Sequence, residues 1–311
     1  MLEELITHLS KSLPLDDKGE LDWVLRMKVM RDRDNKSIIL DQTQYIDRLL
    51  EKHSGWGQLT RNFETPMENE HNLSTDQSPQ QGSAEYHAMD GKRATYMTVV
   101  GALLWLSACT RPDLTYSVSV LARFVSNPGT EHYRAMLRVL AYLYYTRRRV
   151  LELRARPSGL KVYSDASWMA ALSISGGLIF YAGCLITWWT RKQKSVSHSS
   201  AEAEYFAASM ASREALYVRD LLEDLGLMER RPTPLLLDSK GAISLTEDPV
   251  AFKKTKHILR AAYELRDRVA RGLFKAEYVE ANNQLADIMT KGLRAPLHKA
   301  MMPQLLVESP A

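Results

Sequence analysis

From Ala166 to Thr190 the chain runs for 25 residues without a formal charge, long enough to cross a bilayer as a single helix. Its content points elsewhere. Ser167, Ser173, Ser175, Gly176, Gly177 and Gly183 interrupt the run, and its apolar residues fall in two short blocks, Leu178 to Ala182 and Leu185 to Trp189. β-Branched and aromatic residues dominate both blocks, and Gly183-Cys184 lies between them, so the spacing predicts a β-hairpin. The apolar density falls short of a typical span, and no membrane partner is expected.

The rest of the sequence fits a two-domain globular protein. A chain of 311 residues exceeds one small module, and 45% hydrophobic with 25% charged residues excludes wholesale disorder and a fibrous class. Two cysteines, Cys109 and Cys184, cannot staple a secreted scaffold. Met1-Leu-Glu-Glu is acidic from the start and opens no signal pattern, so an intracellular location is expected, with cytoplasm and nucleus both open. The net charge of +4 permits nucleic-acid contact without demanding it.

Residues 1–155 read as mixed, mostly helical material. Leu21 to Met30 and Ser37 to Leu40 suggest a hairpin around the Asp32 to Lys36 turn, and Tyr45, Ile46, Leu49 and Leu50 repeat at helical spacing. The polar stretch Glu68 to Ser83 reads as a loop. Tyr96 to Leu106, Asp113 to Val125 and Thr130 to Tyr145 read as three helices. Residues 160–294 change rhythm. A strand at Leu160 to Tyr163 precedes the hairpin, followed by a long helix from Ser199 to Leu225, a strand at Pro234 to Leu237 and a helix through Leu245. A helix from His257 to Arg271, a strand at Phe274 to Val279 and a helix from Gln284 to Lys291 complete the order. That sequence of elements predicts an α/β domain on a mixed five-stranded sheet. Residues 295–311 show weak helical pattern and are expected to fray.

Four acids stand out. Asp165 and Asp238 each follow an apolar strand at its C-terminal end, where α/β sheets gather ligand groups. Glu204 lies in the first turns of the long helix, and Asp287 near the start of the last. Singly, each reads as a cap, a turn residue or a favourable helix-start charge. All four, in this order of elements, read as one site. Such a cluster repels itself unless cations hold it, and a pair of Mg²⁺ ions, which prefer oxygen ligands, is the apparatus of in-line phosphodiester hydrolysis.

Several separate motifs carry a family resemblance. Tyr163-Ser-Asp-Ala-Ser-Trp168, Lys192-Gln-Lys-Ser-Val-Ser-His-Ser-Ser-Ala-Glu-Ala-Glu-Tyr205, Leu237-Asp-Ser-Lys-Gly-Ala-Ile243, Thr255-Lys-His-Ile258 and Gln284-Leu-Ala-Asp-Ile-Met-Thr-Lys291 closely resemble the ribonuclease H domain of copia-type retrotransposon polyproteins. The resemblance implies a ribonuclease H-like fold and hydrolysis of the RNA strand of an RNA–DNA hybrid. It carries catalysis and Mg²⁺ binding, with Mn²⁺ as a substitute, onto Asp165, Glu204, Asp238 and Asp287. Glu202 competes with Glu204, and Glu204-Tyr-Phe-Ala matches the family's Glu-x-x-Ala pattern. Ser167 stands where the family usually has a second acid, and the chain is about four residues shorter after Trp168 than family members. That shortening bears on substrate grip and on the first hairpin. The upstream half, with Thr110-Arg-Pro-Asp-Leu-Thr-Tyr116 and Arg123-Phe-Val-Ser-Asn-Pro128, resembles the region after the reverse-transcriptase palm, a thumb and connection. The polymerase motif Tyr-Val-Asp-Asp is expected just before Met1, so this stretch alone is not expected to polymerise. Other parts of the retroelement polyprotein are expected partners.

Substrate contacts are expected from Lys192, Lys194, Ser199 and Ser200 in the stretch leading into the long helix, and from Lys256 and His257, with capping or packing an equal reading for His257. Arg191, Lys253, Lys254, Arg260, Arg266, Arg268 and Arg271 extend the basic set, with a solvated face as the alternative for the last three. Trp168, Trp188 and Trp189 are expected in the core or on a sheet face. Ser197-His198-Ser199 makes no triad, and no zinc spacing, P-loop or dinucleotide fingerprint is present, so no small-molecule cofactor is expected. The alternative function is a catalytically inactive retroelement-derived protein that binds nucleic acid or another partner.

Overall fold

The computed structural model describes residues 2–14, 19–58, 62–69, 71, 73–168, 172–227, 231–247 and 256–309. The first half opens with α1 (Leu2–Leu9), the short strand β1 (Trp23–Val24) and the hairpin β2 (Met27–Asp32) with β3 (Ser37–Asp41). Helices α2 (Thr43–Lys52), α3 (Ala84–Ala88), α4 (Lys92–Cys109), α5 (Thr115–Ala122) and α6 (Thr130–Thr146) follow. The expected helices are present. Their core is built from Tyr96, Val99, Leu103 and Leu106 of α4 against Val118 and Leu121 of α5 and Met136, Val139 and Leu143 of α6.

Strand β4 (Arg149–Arg154) was not legible in the sequence, because Arg149, Glu152 and Arg154 break its apolar run. It pairs antiparallel with β3, matching Leu40 to Leu151. The second half then builds β5 (Lys161–Ser167), β6 (Ile174–Tyr181), β7 (Cys184–Lys192), α7 (Ser200–Asp224), β8 (Thr233–Leu237), α8 (Lys240–Glu247), α9 (Lys256–Ala270) and β9 (Phe274–Tyr278). Its sheet order is β7-β6-β5-β8-β9, with β5, β6 and β7 antiparallel and β5, β8 and β9 parallel. The uncharged run is indeed a hairpin. Ala182 and Gly183 turn it with φ of 50° and 76°, the twist that two-residue hairpin loops favour. No helix among the described residues is long and apolar enough to cross a membrane.

Small residues set the packing distances. Ala203, Ala207, Ala208, Ala211 and Ala215 line the buried face of α7 and let it lie close over the sheet. On β6, a Cβ at Gly177 would fall 2.2 Å from the Trp189 ring, and one at Gly176 would fall 2.5 Å from Met289 Cβ. Glycine there leaves room for a helix on the strand.

That helix is α10 (Asp287–Thr290), four residues long. The expected helix from Gln284 is shortened because the Gln284 side chain turns inward, donating from Nε2 to the Ser164 and Leu236 carbonyls at 3.0 and 3.4 Å. The tail, through Ser309, does not fray. Helix α11 (Ala295–Met301) follows, and β10 (Val307–Glu308) pairs antiparallel with β4, completing the first sheet in the order β1-β2-β3-β4-β10. Met301, Met302, Leu305 and Leu306 are buried with Leu151 of β4 and with Leu178, Phe180 and Leu185 of the hairpin, so one apolar core joins the two halves.

Candidate active site

Strand β5 runs through Val162, buried in the sheet core, and delivers Asp165 near its C-terminal end, 1% exposed. The parallel strand β8 delivers Asp238 one residue past its end. Helix α7 crosses both and brings Glu204 from its second turn. Carboxylate oxygens of Asp165, Glu204 and Asp238 all lie within 4.8 Å of one another. The Ala166 backbone N–H donates to Glu204 Oε2 at 3.1 Å, fixing the glutamate against the strand.

Glu202 faces elsewhere. Its Oε2 accepts from the His198 N–H at 2.7 Å, and its own N–H donates to Ser199 Oγ at 3.2 Å, so it belongs to the cap of α7.

Asp287 stands at the edge of the trio. Its Oδ1 lies 2.9 Å from Lys291 Nζ, and the same ammonium is 3.7 Å from Asp165 Oδ2. Thr290 Oγ1 donates to Asp165 Oδ2. Gln284, Thr290 and Lys291 therefore support the carboxylates, and only the four-residue spacing from Asp287 to Lys291 signalled any of this beforehand.

The electrostatics follow from burial. Burial first, then the charges of Asp165 and Asp238, push Glu204 up to about 10. Burial and Asp165 push Asp287 up to about 7 against the opposing pull of Lys291. Asp238 is raised by burial and by Asp165. Burial alone lowers Lys291, but the charges of Asp165 and Asp287 outweigh it and hold the ammonium above its ordinary value. A donor set made of crowded carboxylate oxygens, largely withdrawn from water, fits a hard divalent cation.

Among the expected substrate contacts, Lys192 and Lys194 are exposed ahead of α7 and Ser200 is exposed as its first residue, while Ser199 spends its hydroxyl on the helix cap. Lys256 and His257 open α9, but their side chains lie outside the described residues, as do Lys253, Lys254 and the Arg260 side chain. Arg191 is paired with Glu214 at 2.6 Å. Arg266 donates to the Leu245 carbonyl at 3.1 Å and Arg268 to Ser212 Oγ at 2.8 Å, which makes both ties between helices.

Trp188 and Trp189 pack as expected, the former donating from Nε1 to the Ser107 carbonyl of α4 at 2.7 Å. Trp168 does not. It is 50% exposed, with only its Nε1 fixed, to the Ser197 carbonyl at 3.0 Å, because β5 ends before the ring reaches the core.

A central strand flanked by an antiparallel hairpin on one side and two parallel strands on the other, with acids from β5, α7, β8 and α10 at one edge, defines a ribonuclease H-like α/β domain. No protein-family model matches the chain. It is 31% identical over 295 residues to the retrovirus-related Pol polyprotein from transposon TNT 1-94 of Nicotiana tabacum, covering 94% of this chain and 22% of that protein. The Pol polyprotein from transposon RE1 of Arabidopsis thaliana is 31% identical over 302 residues, covering 94% and 19%. The chain belongs to the copia-type retrotransposon Pol polyproteins and spans about a fifth of the length of these two relatives. Among solved structures, the N-terminal RNase H domain of rv2228c from Mycobacterium tuberculosis superposes with a TM-score of 0.33 at 12% identity, over 46% of this chain and 95% of that one.

Proposed function

We propose that this chain hydrolyses the RNA strand of RNA–DNA hybrids with divalent metal ions, Mg²⁺ or Mn²⁺, held by Asp165, Glu204, Asp238 and Asp287. The observation that carries it is the meeting of three carboxylates from β5, α7 and β8 within 4.8 Å. Asp165, Glu204 and Asp238 would hold one ion, and Asp287 with Asp165 a second. Bound there, the ions would supply an activated water and stabilise the leaving oxygen.

The chain's own residues supply the rest. Ala166 N–H and Gln284 fix the strand ends against Glu204 and against each other, so the acids keep their places as charge builds. Lys192 and Lys194, exposed ahead of α7, would meet backbone phosphates without reading sequence. Shape and 2′-hydroxyl contacts would distinguish the hybrid.

The test is cleavage of a labelled hybrid in Mg²⁺, with Asp165→Asn and Asp238→Asn alongside. Cutting of the RNA strand alone, lost in both variants, supports the assignment. Folded protein that binds hybrid without cutting would make this an inactive nucleic-acid-binding member of the family, and the nuclease reading would fall.

A further inference from the structure

Asp165, Glu204 and Asp238 hang from β5, α7 and β8, all elements of the second half. Asp287 does not enjoy that support. It opens a helix of four residues, too short to hold its own position, and the neighbours of that helix come from both halves of the chain. On one side lies the second sheet, where Gly176 makes room and Thr190 Oγ1 donates to the Met289 carbonyl at 2.5 Å. On the other side lies α5 of the first half.

Gly292 marks the second contact. A Cβ added there would lie 2.3 Å from the Glu68 carbonyl oxygen and 3.0 Å from its carbon. Its φ lies outside the left-handed region, so the backbone does not demand glycine; the close approach of the 65–68 loop does. That loop is braced. Arg138 of α6 donates from Nη1 to Glu68 Oε1 at 2.9 Å and from Nη2 to Thr65 Oγ1 at 3.1 Å, while Thr65 Oγ1 donates to the Met67 carbonyl at 3.0 Å. Met67 is buried in the helical core of the first half.

We propose that the first half of the chain is a positioning part of the carboxylate site: the loop Thr65 to Glu68, braced by Arg138, is a seat on which Gly292 sets the place of Asp287 and Lys291. The proposal rests on the ribonuclease reading for its consequence in catalysis, not for its geometry. Three acids are placed by elements of the second half, and the fourth by a short helix seated between the second sheet and the first half. A segment displaced from the seat moves the fourth carboxylate and loosens the support that Thr290 and Lys291 give Asp165, while the backbone elements that carry the trio stay in place.

The experiment uses the full chain with Gly292→Ala, with Gly101→Ala as a control, since a Cβ at Gly101 meets nothing within 4 Å. Relieving the Glu68 contact requires a shift of about 1 Å, which at a reacting centre lowers turnover by roughly tenfold to a hundredfold. Gly292→Ala should keep the wild-type circular dichroism and hybrid affinity, bind Mn²⁺ more weakly by calorimetry, and need more Mg²⁺ to cleave, with high Mg²⁺ restoring part of the rate. Gly101→Ala should match wild type. In an Asp287→Asn background, Gly292→Ala should cost clearly less than it does in wild type, because both changes act mainly on the same carboxylate. A folded Gly292→Ala protein that binds Mn²⁺ and cleaves as wild type does overturns the proposal. So does an effect that simply adds to that of Asp287→Asn.

If Gly292→Ala does not fold, Arg138→Met decides, since it loosens the seat without a clash. Weaker Mn²⁺ binding then supports the proposal and unchanged binding overturns it. If wild type fails to cleave, the nuclease reading falls by itself, and the Mn²⁺ titration of Gly292→Ala against wild type still decides the positioning role.

Discussion

The Lys291 ammonium sits 2.9 Å from Asp287 Oδ1, one helical turn along the chain, and reaches to 3.7 Å from Asp165 Oδ2. A cation of the protein's own thus partly neutralises the site, and an incoming metal ion has to contend with it. Lys291→Met should therefore bind Mn²⁺ more tightly, by roughly threefold to tenfold after allowance for its partial exposure to solvent. The metal-free variant should also melt lower than wild type, because the carboxylates lose their compensating charge. Calorimetric titration with Mn²⁺ checks the first effect and thermal melting in EDTA the second. Weaker binding in the variant would show that Lys291 organises the carboxylates instead of opposing the ion.

Raised proton affinity in the carboxylates makes metal-free stability depend on pH in a direction opposite to common acid denaturation. Glu204 is pushed up to about 10 and Asp287 to about 7, with Asp238 also raised, so the folded chain binds more protons than the unfolded one across this range. Their contribution is fully present below the unfolded carboxylate range, near pH 4, and is lost as pH climbs through the folded values. In EDTA, the melting temperature of wild type relative to Glu204→Gln should fall from about pH 5 to about pH 9. Saturating Mg²⁺ should flatten the slope. Binding should also release protons at neutral pH, measurable by calorimetry in buffers of different ionisation enthalpy. A slope in EDTA identical to that in Mg²⁺ would show that the cluster does not hold these protons.

Much of this arrangement is legible in the sequence because local signals and tertiary needs agree. The hairpin of β6 and β7 shows itself through Gly183 between two apolar blocks, and its two turn residues do adopt positive φ. Asp165 and Asp238 are visible because an acid closing an apolar run has no packing reason to be there. Other parts leave no local trace. β4 is a strand only because β3 and β10 flank it, and its Arg149, Glu152 and Arg154 hide that from any periodicity. Gln284 breaks the expected last helix by bonding two strand carbonyls from 120 and 48 residues away, and Gly292 matters through a loop from the other half. Contacts at such separations have no signature in nearby residues.

Arg111 and Asp113 form an ion pair with no exposed side-chain surface. Arg111 donates from Nε and Nη2 to the two Asp113 oxygens at 2.9 and 2.7 Å, and from Nη1 and Nη2 to the Thr146 carbonyl and hydroxyl at 3.2 and 2.8 Å. Tyr142 donates its hydroxyl to Asp113 Oδ2 at 2.7 Å. Removing one partner strands the other in the core, so Asp113→Ala should lose about 3–5 kcal/mol. Urea unfolding measures it. Replacing both, as Arg111→Met with Asp113→Leu, should be milder than Asp113→Ala, because no unpaired charge remains. A double variant worse than the single would mean the hydrogen bonds to Thr146 and Tyr142 outweigh the charge.

His298 of α11 is buried edge-on to the Tyr142 ring, with centroids 5.8 Å apart, and its Nε2 has no hydrogen-bond partner among the described residues. Burial, aided by Arg149 and Arg111 and opposed by Asp113, lowers it to about 4. Between its folded value and its unfolded value near 6.5, the unfolded chain binds the extra proton. Its contribution is thus complete above about pH 6.5 and lost as pH falls toward 4, roughly 3 kcal/mol in all. The site carboxylates slope the other way over part of this window, so the informative quantity is the difference between wild type and His298→Phe. The stability of wild type relative to His298→Phe should fall as the pH falls from about 7 to about 4, because the phenyl ring keeps the contact with Tyr142 without titrating. The α11 tail should release first on acidification, read as hydrogen exchange at Val150, whose strand pairs with β10. A constant difference across that range would show that His298 takes up its proton as readily in the folded chain as in the unfolded one.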